Sequence, residues 1–209
     1  MNLTCFNLYF HYNVYYKLVI YFLRRVIKIR IFTAIDFDTN TKSYFQNIND
    51  KLKINCIKGR FTHMENFHLT LQFIGEIDKS YVPKVIDIMK ECVTNHESFN
   101  ITLDKLGSFK RGNSNLMWVG INKNENLISI HKKLSFALKN GEIPFDEKAL
   151  KPHITLGRDL ILKRQLSEII DLIPVDDLVI AINNITLMES KHVNGKLTYI
   201  PLAIFALDH

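Results

Sequence analysis

Cysteine and glycine are scarce in this 209-residue chain, and each scarcity removes a class of protein. The three cysteines, Cys5, Cys56 and Cys92, are odd in number and scattered, with neither CxxC spacing nor a histidine at zinc-ligand spacing. A disulfide framework and a structural zinc site are therefore not expected, and the thiols read as reduced residues of a cytoplasmic protein. The 8 glycines form neither the Gly-rich dinucleotide fingerprint nor a P-loop, so no nucleotide cofactor is expected. Long apolar runs are missing too. The stretch from Val14 to Leu23 is broken by Lys17 and is too short to span a bilayer. It is a poor secretory signal, because Arg24 and Arg25 follow the apolar run and no small-residue cleavage site comes after. Membrane attachment through this segment is the lesser reading.

What remains is enough for one domain, or one domain of two similar lobes: 47% of residues are hydrophobic and 23% charged, which fills a real core. The net charge of +6 is misleading as a sign of nucleic-acid binding. Residues 1 to 30 contain Lys17, Arg24, Arg25, Lys28 and Arg30 with no acid, so the remainder carries only +1. Regular alternation begins near Val26. Residues 1 to 25 are therefore expected to be a dispensable extension, with the folded unit running from 26 to 209.

The alternation of Val26, Lys28 and Arg30 with isoleucines predicts a strand up to about Phe37. A helix follows, capped by Asp38 or Thr39, with Tyr44, Phe45, Ile48 and Leu52 as its stripe and Gly59 just past its end. Phe67 to Ile77 alternates His68, Thr70 and Gln72 against Leu69, Leu71 and Phe73, a strand with its polar set on one face. Pro83 opens a second helix carrying Val85, Ile86, Met89 and Val93. Strands over Phe99 to Leu106 and Leu116 to Ile121 flank a loop from Gly107 to Ser114. A third helix covers 125 to 139 and stops at Asn140-Gly141. A strand begins at His153, a short helix spans Lys163 to Leu172, and two strands, Leu178 to Glu189 and Lys196 to Phe205, turn at Asn194-Gly195. Hairpins and interspersed helices give an α+β fold of two related lobes.

One pattern stands out. His68-Leu69-Thr70-Leu71 recurs as His153-Ile154-Thr155-Leu156, although 8 His and 11 Thr predict only roughly 0.4 His-x-Thr pairs by chance. In a strand, residues i and i+2 share a face, so two such strands facing one cleft converge four side chains on a ligand. Two imidazoles divide acid and base work near neutral pH, and the threonine hydroxyls donate to phosphate oxygens. Arg158, five residues after His153, is the candidate for a bidentate phosphate contact. Hydroxyl partners are poor ligands for a divalent metal, so no metal is expected.

These segments carry a resemblance. Ile31 to Ile35, Glu65 to Glu76, Leu116-Met117-Trp118-Val119-Gly120 and Lys151 to Arg158 are similar to the 2H phosphoesterase superfamily, and within it to the RNA 2′,3′-cyclic phosphodiesterase family, formerly called 2′-5′ RNA ligase. The likeness extends from about residue 28 to 206, with Gly157 where the family often has Ala. It implies a bilobal fold with pseudo-twofold symmetry, two antiparallel β-sheets flanked by helices around a central cleft. It implies hydrolysis of a terminal 2′,3′-cyclic phosphate on RNA, tRNA fragments included, to a 2′-phosphate, with 2′-5′ ligation as the reverse. It further implies His153 as base, His68 as acid, and Thr70, Thr155 and Arg158 on the phosphate, with no cofactor and no obligate protein partner in a monomer.

Alternatives stay open: a related enzyme acting on small cyclic nucleotides or 2′-5′ oligonucleotides, and a catalytically silent RNA-binding module. Other residues receive plainer readings. His63 is an exposed loop histidine, Phe67 and Trp118 are core, and His131 and His192 are structural or exposed. Lys110 and Arg111 lie in a loop, as near to mere solvation as to an RNA backbone contact.

Overall fold

Thirteen main elements follow one another in the computed structural model, which describes residues 27–208. They are β1 (Lys28–Asp36), α1 (Thr39–Ile54), β2 (Cys56–Phe61), β3 (His68–Asp78), α2 (Val82–Val93), β4 (Phe99–Arg111), β5 (Ser114–Ile121), α3 (Glu125–Asn140), β6 (His153–Leu162), α4 (Leu166–Leu172), β7 (Val179–Ile182), β8 (Asn184–Val193) and β9 (Lys196–Ala206). The expectation that residues 1–25 are a dispensable extension, with Val26 opening the fold, lies outside the described residues.

The strands run in the order β7-β4-β5-β6-β3-β1-β8-β9, with β2 added on β6. At the centre, β6 and β3 are joined through a single residue pair, Leu69 with Ile154. Two four-stranded antiparallel sheets thus meet edge to edge, the two lobes of the α+β reading. Alternation explains which face is covered. Leu69, Leu71, Ile154 and Leu156 are buried in the main core together with Phe45 and Leu52 of α1, Val85 and Met89 of α2, Leu134 of α3 and Ile169 of α4. All four helices therefore pack on that face, and the opposite face, carrying His68, Thr70, His153 and Thr155, has no helix over it.

Local signals act as expected at several points. Asp38 caps α1, its Oδ1 accepting from Thr41 N at 2.7 Å. Asn194 and Gly195, both at positive φ, make the β8–β9 turn. Elsewhere the structure departs from the sequence reading. Gly59 does not terminate α1. It lies inside β2, an edge strand with outward polar residues, where a Cβ would stand 2.2 Å from the Leu160 side chain. The stretch expected as a loop over Gly107 to Ser114 is strand on both sides of a two-residue turn at Gly112-Asn113, with Gly112 at φ 55. Lys110 and Arg111 are accordingly strand residues. The strand expected over Leu178 to Glu189 breaks at Asn183: β7 pairs with β4 in one lobe, while β8 pairs with β1 and β9 in the other. No helix among the described residues is long and apolar enough to cross a membrane.

Candidate active site

The central pair explains the site. With Leu69 opposite Ile154 in an antiparallel ladder, His68 falls beside Thr155 and Thr70 beside His153, so the two motifs cross with all four polar side chains on the open face. The strand neighbours repeat the arrangement. Asp36 and Ala34 of β1 oppose His68 and Thr70, and Gly120 and Trp118 of β5 oppose His153 and Thr155. A pseudo-twofold axis through the Leu69·Ile154 pair relates the two halves.

Both imidazoles are held the same way. His68 Nδ1 lies 2.7 Å from the carbonyl oxygen of Asn66, and His153 Nδ1 lies 2.6 Å from that of Lys151, in each case two residues upstream. A carbonyl only accepts, so Nδ1 carries the proton in both rings and each Nε2 is the atom left for chemistry. The hydroxyl of Thr70 donates to His68 Nε2 at 3.0 Å. The Thr155 hydroxyl makes no such bond to His153.

Aromatic rings flank both histidines. Phe32 and Tyr199 pack on His68, with centroids 5.0 Å and 4.9 Å away. Phe109 and Trp118 pack on His153 at 5.4 Å and 6.1 Å. Burial disfavours the charged ring. It lowers the His68 pKa from 6.5 to about 4, opposed by the Asn66 hydrogen bond and the Asp36 charge and reinforced by Arg158 and His153. His153 is lowered as well, again mainly by burial, with Arg158 adding to it.

Arg158 belongs to this group even though a five-residue offset from His153 points the wrong way in a regular strand. The ladder between β5 and β6 pairs Trp118 with Thr155 but Met117 with Gly157, so one residue of β5 faces two of β6. This bulge reverses the alternation between Thr155 and Arg158. Next to it Asp159 adopts φ 56 and forms an ion pair with Arg60. The charge of Arg158 is felt by His68 and His153, and by Tyr199, whose pKa is raised chiefly by burial and lowered by Arg158 and Arg30. All five residues singled out from the sequence are therefore gathered on one face.

Three contributors escaped the sequence reading. Tyr199 arrives from β9, which is tied beside the first motif by Asn66 Nδ2 donating to Leu197 O at 2.9 Å. Asp36 lies opposite His68 and is paired with Lys42 at 2.7 Å. Trp118 is not core: it is half-buried on the open face beside His153. Its cross-strand pairing with Thr155 follows from the register, which local sequence does not reveal. Other residues fall where expected. Phe67 is fully buried against Phe45, His63 is exposed next to Glu65, and His131 Nδ1 donates to Leu71 O at 3.0 Å.

The buried Gln72 links the two halves. Its Nε2 donates to Asp146 O at 2.6 Å and its Oε1 accepts from Ser135 at 2.9 Å, while Asp146 N donates to Phe73 O. The segment leading into His153 is thereby fastened along the free edge of β3. In the corresponding place on the other side, Thr62 N donates to Leu156 O, so the segment leading into His68 is fastened along β6.

Comparison with known proteins agrees with this geometry. An RNA 2′,3′-cyclic phosphodiesterase of Thermotoga maritima is 28% identical over 163 residues, covering 78% of this chain and 87% of that protein. The Escherichia coli protein of the same name is 30% identical over 152 residues, 71% of this chain and 80% of its own. A crystal structure of Escherichia coli LigT complexed with 3′-AMP superposes with a TM-score of 0.74 at 24% identity, over 88% of this chain and all of that one, which shows a common fold. The family model described as the 2′-5′ RNA ligase superfamily matches residues 58–194, a span that includes both histidine motifs, and the chain belongs to that superfamily.

Proposed function

We propose that this protein is an RNA 2′,3′-cyclic phosphodiesterase in which His68 and His153 act as an acid–base pair without a metal ion. The observation that carries the reading is the crossing of two His-x-Thr strands at one residue pair, with both imidazoles fixed through Nδ1 and both Nε2 atoms turned to the open face. The naming of relatives as RNA 2′,3′-cyclic phosphodiesterases supports the substrate class.

The reaction needs little else. His153 Nε2 takes a proton from water as its oxygen attacks phosphorus. The bond from phosphorus to the ribose 3′ oxygen breaks, and His68 Nε2 returns a proton to that oxygen, leaving a 2′-phosphate. Thr70 and Thr155 donate to the non-bridging oxygens, and Arg158 offsets the charge that builds on them. Burial favours the neutral imidazoles, and the anionic phosphate of the substrate favours the imidazolium that must donate. The same sequence, with an RNA 5′ hydroxyl in place of water opposite the departing 3′ oxygen, joins ends through a 2′-5′ bond.

The test is incubation with a short RNA ending in a 2′,3′-cyclic phosphate, in the presence of a chelator. Wild type should yield the 2′-phosphate, and His68→Ala and His153→Ala should each lose most activity. A product that needs added metal, or that survives either substitution, would overturn the mechanism.

A further inference from the structure

The two halves of the site share more than their motifs. In the first half the ladder between β1 and β3 pairs Ala34 with Thr70 and then Thr33 with Gln72, passing over Leu71. In the second the ladder between β5 and β6 pairs Trp118 with Thr155 and then Met117 with Gly157, passing over Leu156. The same bulge therefore follows the threonine in both strands. The pseudo-twofold axis maps Arg158 onto Phe73, each five residues after its histidine.

Phe73 is neutral, but a cation stands in its place. The guanidinium of Arg30, from the neighbouring strand β1, lies 4.9 Å over the Phe73 ring. Ile29 and Ile31 on either side of Arg30 are in the main core, so Arg30 shares the open face with Phe32, which packs on His68. A ring face attracts the guanidinium charge without occupying its N–H donors, which stay available to an anion. Among the described residues neither Arg30 nor Arg158 takes part in an ion pair.

The two guanidiniums stand at different distances from the chemistry. The charge of Arg158 is felt by both imidazoles, whereas that of Arg30 is felt by Tyr199, the ring that packs on His68. Arg30 is thus one step farther out, on the His68 side. The attacking water and the departing 3′ oxygen lie on opposite sides of phosphorus, so with His153 as base and His68 as acid the terminal ribose lies toward His68. The nearest further anion in that direction is the phosphodiester on the 5′ oxygen of that ribose. RNA has this group, and a free nucleoside 2′,3′-cyclic phosphate lacks it.

We infer that Arg30, presented on the Phe73 ring, binds the phosphodiester one nucleotide back from the cyclic phosphate and so favours RNA ends over free nucleoside 2′,3′-cyclic phosphates. This rests on the phosphodiesterase reading and on the roles given there to the two histidines.

The probes are adenosine 2′,3′-cyclic phosphate and the same compound carrying a methyl phosphate diester on its 5′ oxygen, which adds one negative charge and no base. Both are assayed with wild type, Arg30→Gln, Arg30→Lys and Phe73→Leu. Wild type should prefer the diester in kcat/KM. That preference should fall roughly tenfold in Arg30→Gln, as loss of a charge-assisted hydrogen bond predicts, and by less in Arg30→Lys and Phe73→Leu. No preference in wild type, or one that survives Arg30→Gln, would overturn the inference. So would equal losses on both compounds, which would put Arg30 at the cyclic phosphate or in a purely structural role. Should Arg30→Gln fail to fold, the ratio in Arg30→Lys decides in the same way. Turnover of neither compound by wild type would overturn the phosphodiesterase reading, and calorimetric binding of the two compounds to wild type and Arg30→Gln would then decide: a preference for the diester lost with the guanidinium upholds the site, and equal binding refutes it.

Discussion

Acid should destabilise this fold through His68, by an amount that the site predicts. The imidazole titrates at about 4 when folded and near its ordinary 6.5 when unfolded. Above pH 6.5 both states hold it neutral and stability is at its full value. Between 6.5 and 4 the unfolded chain binds the proton and the folded one does not, so stability falls with pH until it levels out below 4. Two and a half units of displacement correspond to about 3 kcal/mol, a large share of the stability of a domain. Urea unfolding of wild type and His68→Asn from pH 7.5 down to 4.5 measures it, with phosphate kept out of the buffers because an anion in the site would raise the pKa. Asparagine keeps an N–H for the Asn66 carbonyl but does not titrate. The wild-type curve should lose stability relative to the variant as pH falls, by about 2 kcal/mol or more at the acid end. Parallel curves would show that His68 is not held neutral by its surroundings, and the account of both imidazoles would fail with it.

Three further outcomes follow from particular contacts. The fluorescence of Trp118 should titrate with a midpoint below 6.5, because protonated His153 next to it quenches the indole and burial lowers that pKa; a pH scan of wild type against His153→Asn checks this, and a midpoint above 6.5 contradicts it. Gly107→Ala should destabilise the protein by about 1–3 kcal/mol through overpacking against the indole, and the same change in a Trp118→Leu background should cost much less, as thermal unfolding of the four proteins would show. Gln72→Leu should cost about 1–3 kcal/mol by leaving Asp146 O and Ser135 without their partner, and hydrogen exchange should rise in residues 142–152 while α1 is unaffected.

Much of the site was legible in the sequence because it is local. A period of two placed His68 with Thr70 and His153 with Thr155, and the repeat itself announced that the strands belong together. Arg158 was singled out by chemistry and not by geometry: an offset of five points away from the motif, and the bulge that turns it back has no residue signature in a single sequence. Tyr199 and Asp36 were hidden for another reason. Each reaches His68 through a register set by distant strands, β9 by way of Asn66 and β1 by direct pairing. The fold divides along the same line. Caps and turns such as Asp38 and Asn194-Gly195 act within a few residues and were readable, whereas β2, a polar edge strand, and the break at Asn183 depend on which strands lie alongside.

The order of the strands also dictates when the site can come into being. Strands β4 to β7 are continuous in sequence and, joined by β2 on β6, are inserted between β1 and β3, which precede them, and β8 and β9, which follow, the strands of the other lobe. During synthesis the inserted lobe can close while β1 and β3 still form only a two-stranded ribbon, too small to be stable alone. His153 is then already in its aromatic setting beside Phe109 and Trp118, while His68 waits for Tyr199 and for the Asn66 bond to Leu197. A nascent chain thus carries half of the proposed acid–base pair, and the other half is completed only once β9 has left the ribosome.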